Sequence, residues 1–203
     1  MDEIILVGAG GHACSCIDVI EQHGGFTVAG LVENDELINE DVLGYPIVGS
    51  DNDLPLLHAK YKFALVSIGQ IKSPSSRIGV YHRLKEIGYI LPTIISPKAY
   101  VSRHANIGEG TIIMHGAIVN ANAVIGKNCI LNSRALIEHD VVVGDHCHIS
   151  TGAIVNGEVK IDKESFIGSG TVTRQSISIG EKSVIGAGLF VKTNVESKRG
   201  IKT

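Results

Sequence analysis

ALIEHDVVVGDHCHISTGAIVNG, residues 135–157, repeats one phrase four times. Ala135 and Ile137, Val141 and Val143, Cys147 and Ile149, Ala153 and Val155 recur at steps of six, and three histidines and three acids are set between them. Extended in both directions, the step of six runs from Ile95 to Val191. Of the 17 positions it visits, 16 are aliphatic, and Thr173 is the exception. From Ala105 onward the residue two places before each aliphatic is small at most steps, with Val141, Val159, Ile177 and Leu189 the larger ones. An α-helix cannot hold this pattern on one face, because six residues turn through about 600° and the apolar stripe drifts around the axis. A strand period of two divides six but leaves the small residue unexplained.

A triangular parallel β-helix accounts for both features. Each six-residue unit is a short strand and a corner, and three units, or 18 residues, close one coil. The longer period is visible in Gly108, Gly126, Gly144 and Gly180, with Asp162 in the missing slot, where a corner is expected to need a permissive backbone. Five coils span residues 105–194, about 24 Å at the ~4.8 Å strand spacing. Handedness does not follow from the period. The repeat resembles the left-handed β-helix of the hexapeptide acyltransferases, an exception to the right-handed crossover rule. That resemblance implies a homotrimer with active sites in the grooves between subunits. Cys129 and Cys147 fall on the small inward position and read as packing residues.

The first ninety residues follow a different pattern. EIILVGAGGHA is a buried strand entering a glycine turn, CSCIDVIEQHG a helix ending at Gly24 and Gly25, FTVAGLVEND and FALVSIGQ further strands, and SSRIGVYHRLKEIG an amphipathic helix. The alternation predicts about three strands in a small parallel α/β sheet, half of a Rossmann fold, over residues 1–91. The β-helix then occupies 92–203, led in by LPTIISPKAYVS, whose Ile95 and Val101 already keep the six-residue phase. A ligand belongs beyond the strand ends, among Gly8 to His12, Glu33 to Asp35 and Ile68 to Gln70, with Gly10, Gly11, His12, Glu33, Asn34 and Gly69 the candidate contacts. GAGGHA approximates GxGxxG with Ala13 as its last residue, and Glu33 stands where a ribose-binding acid belongs. With so few strands, a mononucleotide-sized ligand fits better than a dinucleotide.

Bulk properties narrow the function. Lys plus Arg is 18 and Asp plus Glu 21, a net charge of -3, which gives no electrostatic reason to expect nucleic acid. Two acids at the N-terminus and an apolar run of four residues, Ile4 to Val7, argue against a signal peptide or membrane span. The four cysteines have no zinc-like spacing, so reduced thiols in a cytoplasm are expected. Aromatics are only 4%, in keeping with a core of small aliphatics.

Stacking at 18 places His139 one rung from Gly157. A neutral imidazole can take a proton from an attacking amine or hydroxyl, and a peptide N–H can hold a developing oxyanion. Asp140 could orient the ring, although neighbours on a strand face opposite ways unless the corner turns them. A solvated surface histidine is the plain alternative. Metal binding by His115, His139, His146 and His148 is the competing use, but none of their separations is a multiple of 18.

GAGGH, a short nucleotide-type domain, the hexapeptide repeat and ILNSRALIEHDVVVGDHCHISTGAIVNGEV together resemble the acetyltransferases of bacterial sugar modification. That group comprises the sialic acid O-acetyltransferases and the N-acetyltransferases of UDP-linked 4-amino sugars. The resemblance implies acetyl-CoA as co-substrate, no metal, and a sugar or sugar nucleotide as acceptor. It further implies His139 as general base with Asp140 behind it, Asn132 on the acceptor, and His148 with the Gly157 backbone on the acetyl thioester. His12, Glu33 and Asn34 are implied on the sugar nucleotide, with Arg77, or Lys72, a candidate for a phosphate or sugar carboxylate. The GxPA turn common in related acyltransferases is missing from VKTNVESKRGIKT, where Lys192, Lys198 and Arg199 are the basic residues left for the coenzyme. A sugar-nucleotide-binding partner without catalytic activity is the reading from another class, and it predicts ligand binding without thiol release.

Overall fold

The computed structural model describes residues 1–33, 41–71 and 73–201. Its contacts divide into two units, Met1–Gly69 with Ser75–Ile94, and Gln70–Pro74 with Ile95–Thr203.

The first unit alternates strand and helix: β1 (Asp2–Val7), α1 (Gly11–His23), β2 (Phe26–Val32), β3 (Asp41–Val42), β4 (Tyr45–Gly49), α2 (Leu54–Lys60), β5 (Phe63–Val66) and α3 (Ser75–Ile87). The sheet order is β3-β4-β2-β1-β5, parallel throughout except for the β3–β4 pair. Ile4, Ile5, Leu6 and Val7 are all buried, as expected of a central parallel strand covered on both faces. The sheet is larger than the three strands expected from sequence. β4 was hidden because Pro46 interrupts its short apolar run, yet Pro46 is tolerated where it pairs with Asp41 near the sheet edge.

In the second unit every strand is two residues long and, up to the C-terminal coil, pairs in parallel with the strand 18 residues on, as Leu136–Ile137 does with Ile154–Val155; the last pair, Val184–Ile185 with Gly200–Ile201, is 16 apart. Three sheets result, of six, five and seven strands, the walls of a left-handed β-helix. The second residue of each strand points inward, so Ile113, Val119, Ile125, Leu131, Ile137 and their successors form one continuous buried core. Residues two positions earlier point inward as well and split into columns. Thr111, Cys129, Cys147, Ser165 and Ser183 occupy one of them, all fully buried. Four of these donate O–H or S–H to a carbonyl 15 residues on: Thr111 to Gly126, Cys129 to Gly144, Cys147 to Asp162 and Ser165 to Gly180. The two cysteines therefore pack as expected and also satisfy backbone acceptors at a corner.

The corner glycines work differently from the sequence expectation. Left-handed backbone falls at another place in the hexad, at every sixth residue from Gly110 to Gly188, occupied by glycine, asparagine, aspartate, histidine, arginine, glutamate, serine and lysine alike. Gly108, Gly126, Gly144 and Gly180 are glycine because the next rung leaves no room. A Cβ on Gly144 would lie 2.5 Å from the Lys163 amide nitrogen.

Candidate active site

The hexad that ends at Asp140 builds the most chemically capable corner. Asp140 has φ +60°, and this turn brings its carboxylate back onto the preceding side chain. His139 Nδ1 donates to Asp140 Oδ2 at 2.8 Å, although the two are adjacent in sequence. That bond fixes the tautomer and leaves the Nε2 lone pair directed elsewhere. Asp140 Oδ1 accepts from Asn122 Nδ2 at 3.2 Å, one coil below, and Glu138 Oε2 accepts from Asn120 Nδ2 at 3.0 Å and from the His139 amide at 3.4 Å. The Asp140 bond, with the fields of Asp140, Glu138 and Glu158 behind it, raises the His139 pKa above its ordinary 6.5 despite an opposing desolvation effect. His139 and Asn122 together hold the Asp140 carboxyl below its usual range.

The His139 ring lies over Gly157 on the next rung. A Cβ there would be 2.8 Å from both Cε1 and Nε2, so only glycine admits the imidazole in this position. The rungs are tied by the Glu158 amide, which donates to the His139 carbonyl at 3.1 Å. Among the described residues the Gly157 N–H has no acceptor. A lone-pair-bearing nitrogen thus lies against a glycine of the next rung whose peptide donor is unused. Beyond them runs a groove. A cavity of about 510 Å³ is lined by Asp140, Lys160, Ser176 and Asn194, and another of about 460 Å³ continues it past Arg174 to Lys192. A third, about 500 Å³, adjoins Lys192, Phe190 and Arg199.

Asn132 and His148 are brought together, but not with His139. His148 stands outward on the seven-stranded sheet, 6% exposed, where its Nδ1 donates to the Gln70 carbonyl at 2.6 Å. Its Nε2 then accepts from Asn132 Nδ2 at 3.3 Å. The corner carrying His139 lies between the other two sheets, so within one chain these pairs occupy different faces of the prism. The four histidines do not converge: His115 bonds Ser96, His146 bonds Asn128, and no metal-binding group of three His, Cys, Asp or Glu exists among the described residues.

In the first unit, Gly8 ends β1 at φ +111°, with its carbonyl accepting from Ser67 Oγ at 2.6 Å. Gly10 is the N-cap of α1, so the amides of Gly11 and His12 open the helix, and Gly69 packs its backbone against His12. Glu33 is committed in part to the fold, because Oε2 accepts from the Ala9 amide at 2.7 Å. A cavity of about 290 Å³ opens here, lined by Gly8, Glu33, Ser50, Asp51, Asn52 and Ile68 among others. Asn34 and Lys72 lie outside the described residues. Arg77, expected on a phosphate or carboxylate, is 1% exposed and donates Nη1 to the carbonyls of Val66 and Ile68, at 3.0 and 2.7 Å, so it fastens the end of β5. Sequence reasoning missed Asn120, Asn122, Glu138 and Ser176. Counting 18 back from 138 and 140, or on from 158, finds the two asparagines and Ser176, whose Oγ donates to Glu158 at 2.8 Å.

Comparison with known proteins adds to this geometry. Residues 3–84 match the PglD N-terminal domain. Residues 104–139 and 122–157 match the bacterial transferase hexapeptide repeats, and 158–192 the hexapeptide repeat of succinyl-transferase. A histidine-to-asparagine variant of perosamine N-acetyltransferase from Caulobacter crescentus, in complex with CoA and GDP-perosamine, is similar at 30% identity and a TM-score of 0.91, over 97% of this chain and 91% of that one. The acetyltransferase domain of PglB from Neisseria gonorrhoeae, in complex with acetyl coenzyme A, is similar at 29% identity and a TM-score of 0.88, over 98% and 94%. WeeI from Acinetobacter baumannii, at 23% identity and a TM-score of 0.88 over 100% and 97%, shares the fold. No curated protein matches significantly.

Proposed function

The chain belongs to the hexapeptide-repeat sugar N-acetyltransferases with a PglD-type N-terminal domain, and on that premise we propose that it moves the acetyl group of acetyl-CoA onto the amine of a UDP-linked 4-amino sugar. The observation that carries the reading is the packing of the His139 ring, with Nε2 unbonded, against Gly157 on the next rung, whose N–H is unused. The neutral amine attacks the thioester carbonyl and His139 Nε2 takes a proton from the nitrogen. The Gly157 N–H stabilises the oxyanion of the tetrahedral intermediate. Collapse breaks the C–S bond, and the imidazolium returns its proton to the departing thiolate. The products are the amide and free CoA. The groove past Lys160, Arg174 and Lys192 suits a long donor with phosphates at its far end. The cavity at Gly8 and Glu33, beside the amides that open α1, suits the nucleotide.

Asn132 and His148 lie on a different face from His139. If they meet the substrate as their sequence context implies, a second copy of the chain supplies them, which favours a homotrimer with the reaction in the groove between copies. The amine reading is favoured over O-acetylation of a sialic acid by the likeness to perosamine N-acetyltransferase at 30% identity over 97% of the chain. The test is free-thiol release from acetyl-CoA with UDP- and GDP-linked 4-amino sugars and with sialic acid. His139→Ala should keep acetyl-CoA affinity and assembly while turnover falls at least ~100-fold, the usual contribution of a general base. Near-normal turnover in that variant, or ligand binding with no thiol release by the wild type, would overturn the reading.

A further inference from the structure

Beyond His139 and Asp140, the corner contains two amide side chains with no role in the reaction as written. Asn120 and Asn122 lie one coil below Glu138 and Asp140, and each donates its Nδ2 straight up the stack to the carboxylate above it, at 3.0 and 3.2 Å. The bonds differ in consequence. Of His139, Glu138 reaches the backbone amide, at a long 3.4 Å, whereas Asp140 holds the ring itself. Asp140 is half exposed, with a side-chain exposure of 49%, in a left-handed turn. With one oxygen bound to His139 and the other free, such a carboxylate would rotate into water for much of the time. The Asn122 amide occupies the second oxygen and so closes the one remaining rotation.

We propose that Asn122 is the positioning residue of the catalytic base: by holding Asp140 Oδ1 it keeps Oδ2 on His139 Nδ1 and keeps the Nε2 lone pair over Gly157. The inference rests on the assignment of His139 as base. Asn122 itself has φ +60°, stacked on Asp140 at the same point of the hexad, so the amide leaves the backbone aimed along the stack. The charged groups around the ring are Glu138, Asp140 and Glu158, with Lys160 lining the cavity that Asp140 also lines.

The decisive variant is Asn122→Gly, which removes the amide while tolerating the left-handed backbone, so that loss of the hydrogen bond is not confused with backbone strain. Three readouts separate positioning from general damage. The turnover number should fall about tenfold with the KM for acetyl-CoA unchanged. The acidic limb of the kcat–pH profile should move down towards the ordinary histidine value as Asp140 loosens. The His139 ring, followed by NMR titration of its Cε1–H in the absence of substrates and identified by its loss in His139→Ala, should titrate at a correspondingly lower pH. Wild-type turnover with an unmoved or upward-shifted limb would overturn the proposal, as would parallel loss of acetyl-CoA binding and melting temperature. If His139→Ala were itself active, the failure would belong to the base assignment; a silent Asn122→Gly in an enzyme that needs His139 would sink only the positioning role.

Discussion

Strand alternation sends neighbouring side chains to opposite faces, and by that rule Asp140 cannot reach His139. The left-handed turn at Asp140 is what makes the 2.8 Å bond, and nothing in the tetrad Ile137–Asp140 announces it except its place in the hexad. The bond has two opposed effects on a base. It orders the ring, and it also raises the pKa, so the neutral imidazole is depleted as pH falls through a value above 6.5. Activity should therefore decline on the acidic side of that value. Asp140→Asn removes the largest cause of the shift, so the acidic limb should move towards 6.5. At neutral pH more of the base is then uncharged, yet turnover should still drop by about 10- to 100-fold because the tautomer is no longer fixed. A kcat–pH series on the two proteins checks both statements, and a limb that stays in place would contradict the role of the pair. Gly157 was legible through its spacing, but its reason was not. The ring above it, not a turn, excludes a side chain.

Along each element, the hexad assigns one position to the core, one to a small inward group and one to a left-handed turn, and glycine serves two unrelated purposes. At Gly152, φ is +65° and a Cβ would meet nothing within 4 Å; at Gly144, it would meet backbone at 2.5 Å. Gly152→Ala should thus cost about 1 kcal/mol, the usual penalty for a left-handed residue, because only local strain is involved. Gly144→Ala should cost about 3 kcal/mol or more, because two rungs must be forced apart in a close-packed stack. Denaturant unfolding of both variants measures the difference, and equal costs would mean the stack yields easily. The corner of Glu109, Lys127, Asp145, Lys163 and Glu181 alternates in charge at steps of 18, with ion pairs of 3.5 and 3.8 Å at its two ends. These pairs are solvent-exposed and contribute a few tenths of a kcal/mol each, so rung stability rests on the core and the ladder of backbone bonds. The hydroxyl and thiol column was legible only as small residues. That they return hydrogen bonds to carbonyls 15 residues on depends on where the corner bends.

At the scale of the molecule, the outward residues of the six-stranded sheet are all apolar: Tyr100, Ile118, Leu136, Ile154, Val172 and Phe190. Tyr100, Ile118 and Phe190 remain 59%, 39% and 57% exposed, a continuous apolar strip on one wall that suits contact with other copies of the chain. If the chain is the homotrimer proposed above, Ile154→Glu should leave the β-helix folded by circular dichroism and convert that trimer to monomer in sedimentation, with thiol release lost alongside; a trimer that survives the charge would move the interface elsewhere. Among the described residues no helix is long and apolar enough to cross a membrane. The amino-acid sequence by itself determined the period of six, the coil of 18, the strand–helix–strand opening of the first unit and the stacking of His139 one rung from Gly157, because each follows from residue spacing along a regular backbone. Only the tertiary structure decided that Arg77 is buried against carbonyls, that Tyr45–Gly49 adds a strand, that Asn132 and His148 face away from His139, and that Asn122 holds Asp140. Those outcomes depend on side-chain direction and on contacts between residues far apart in the chain, and spacing alone does not determine either.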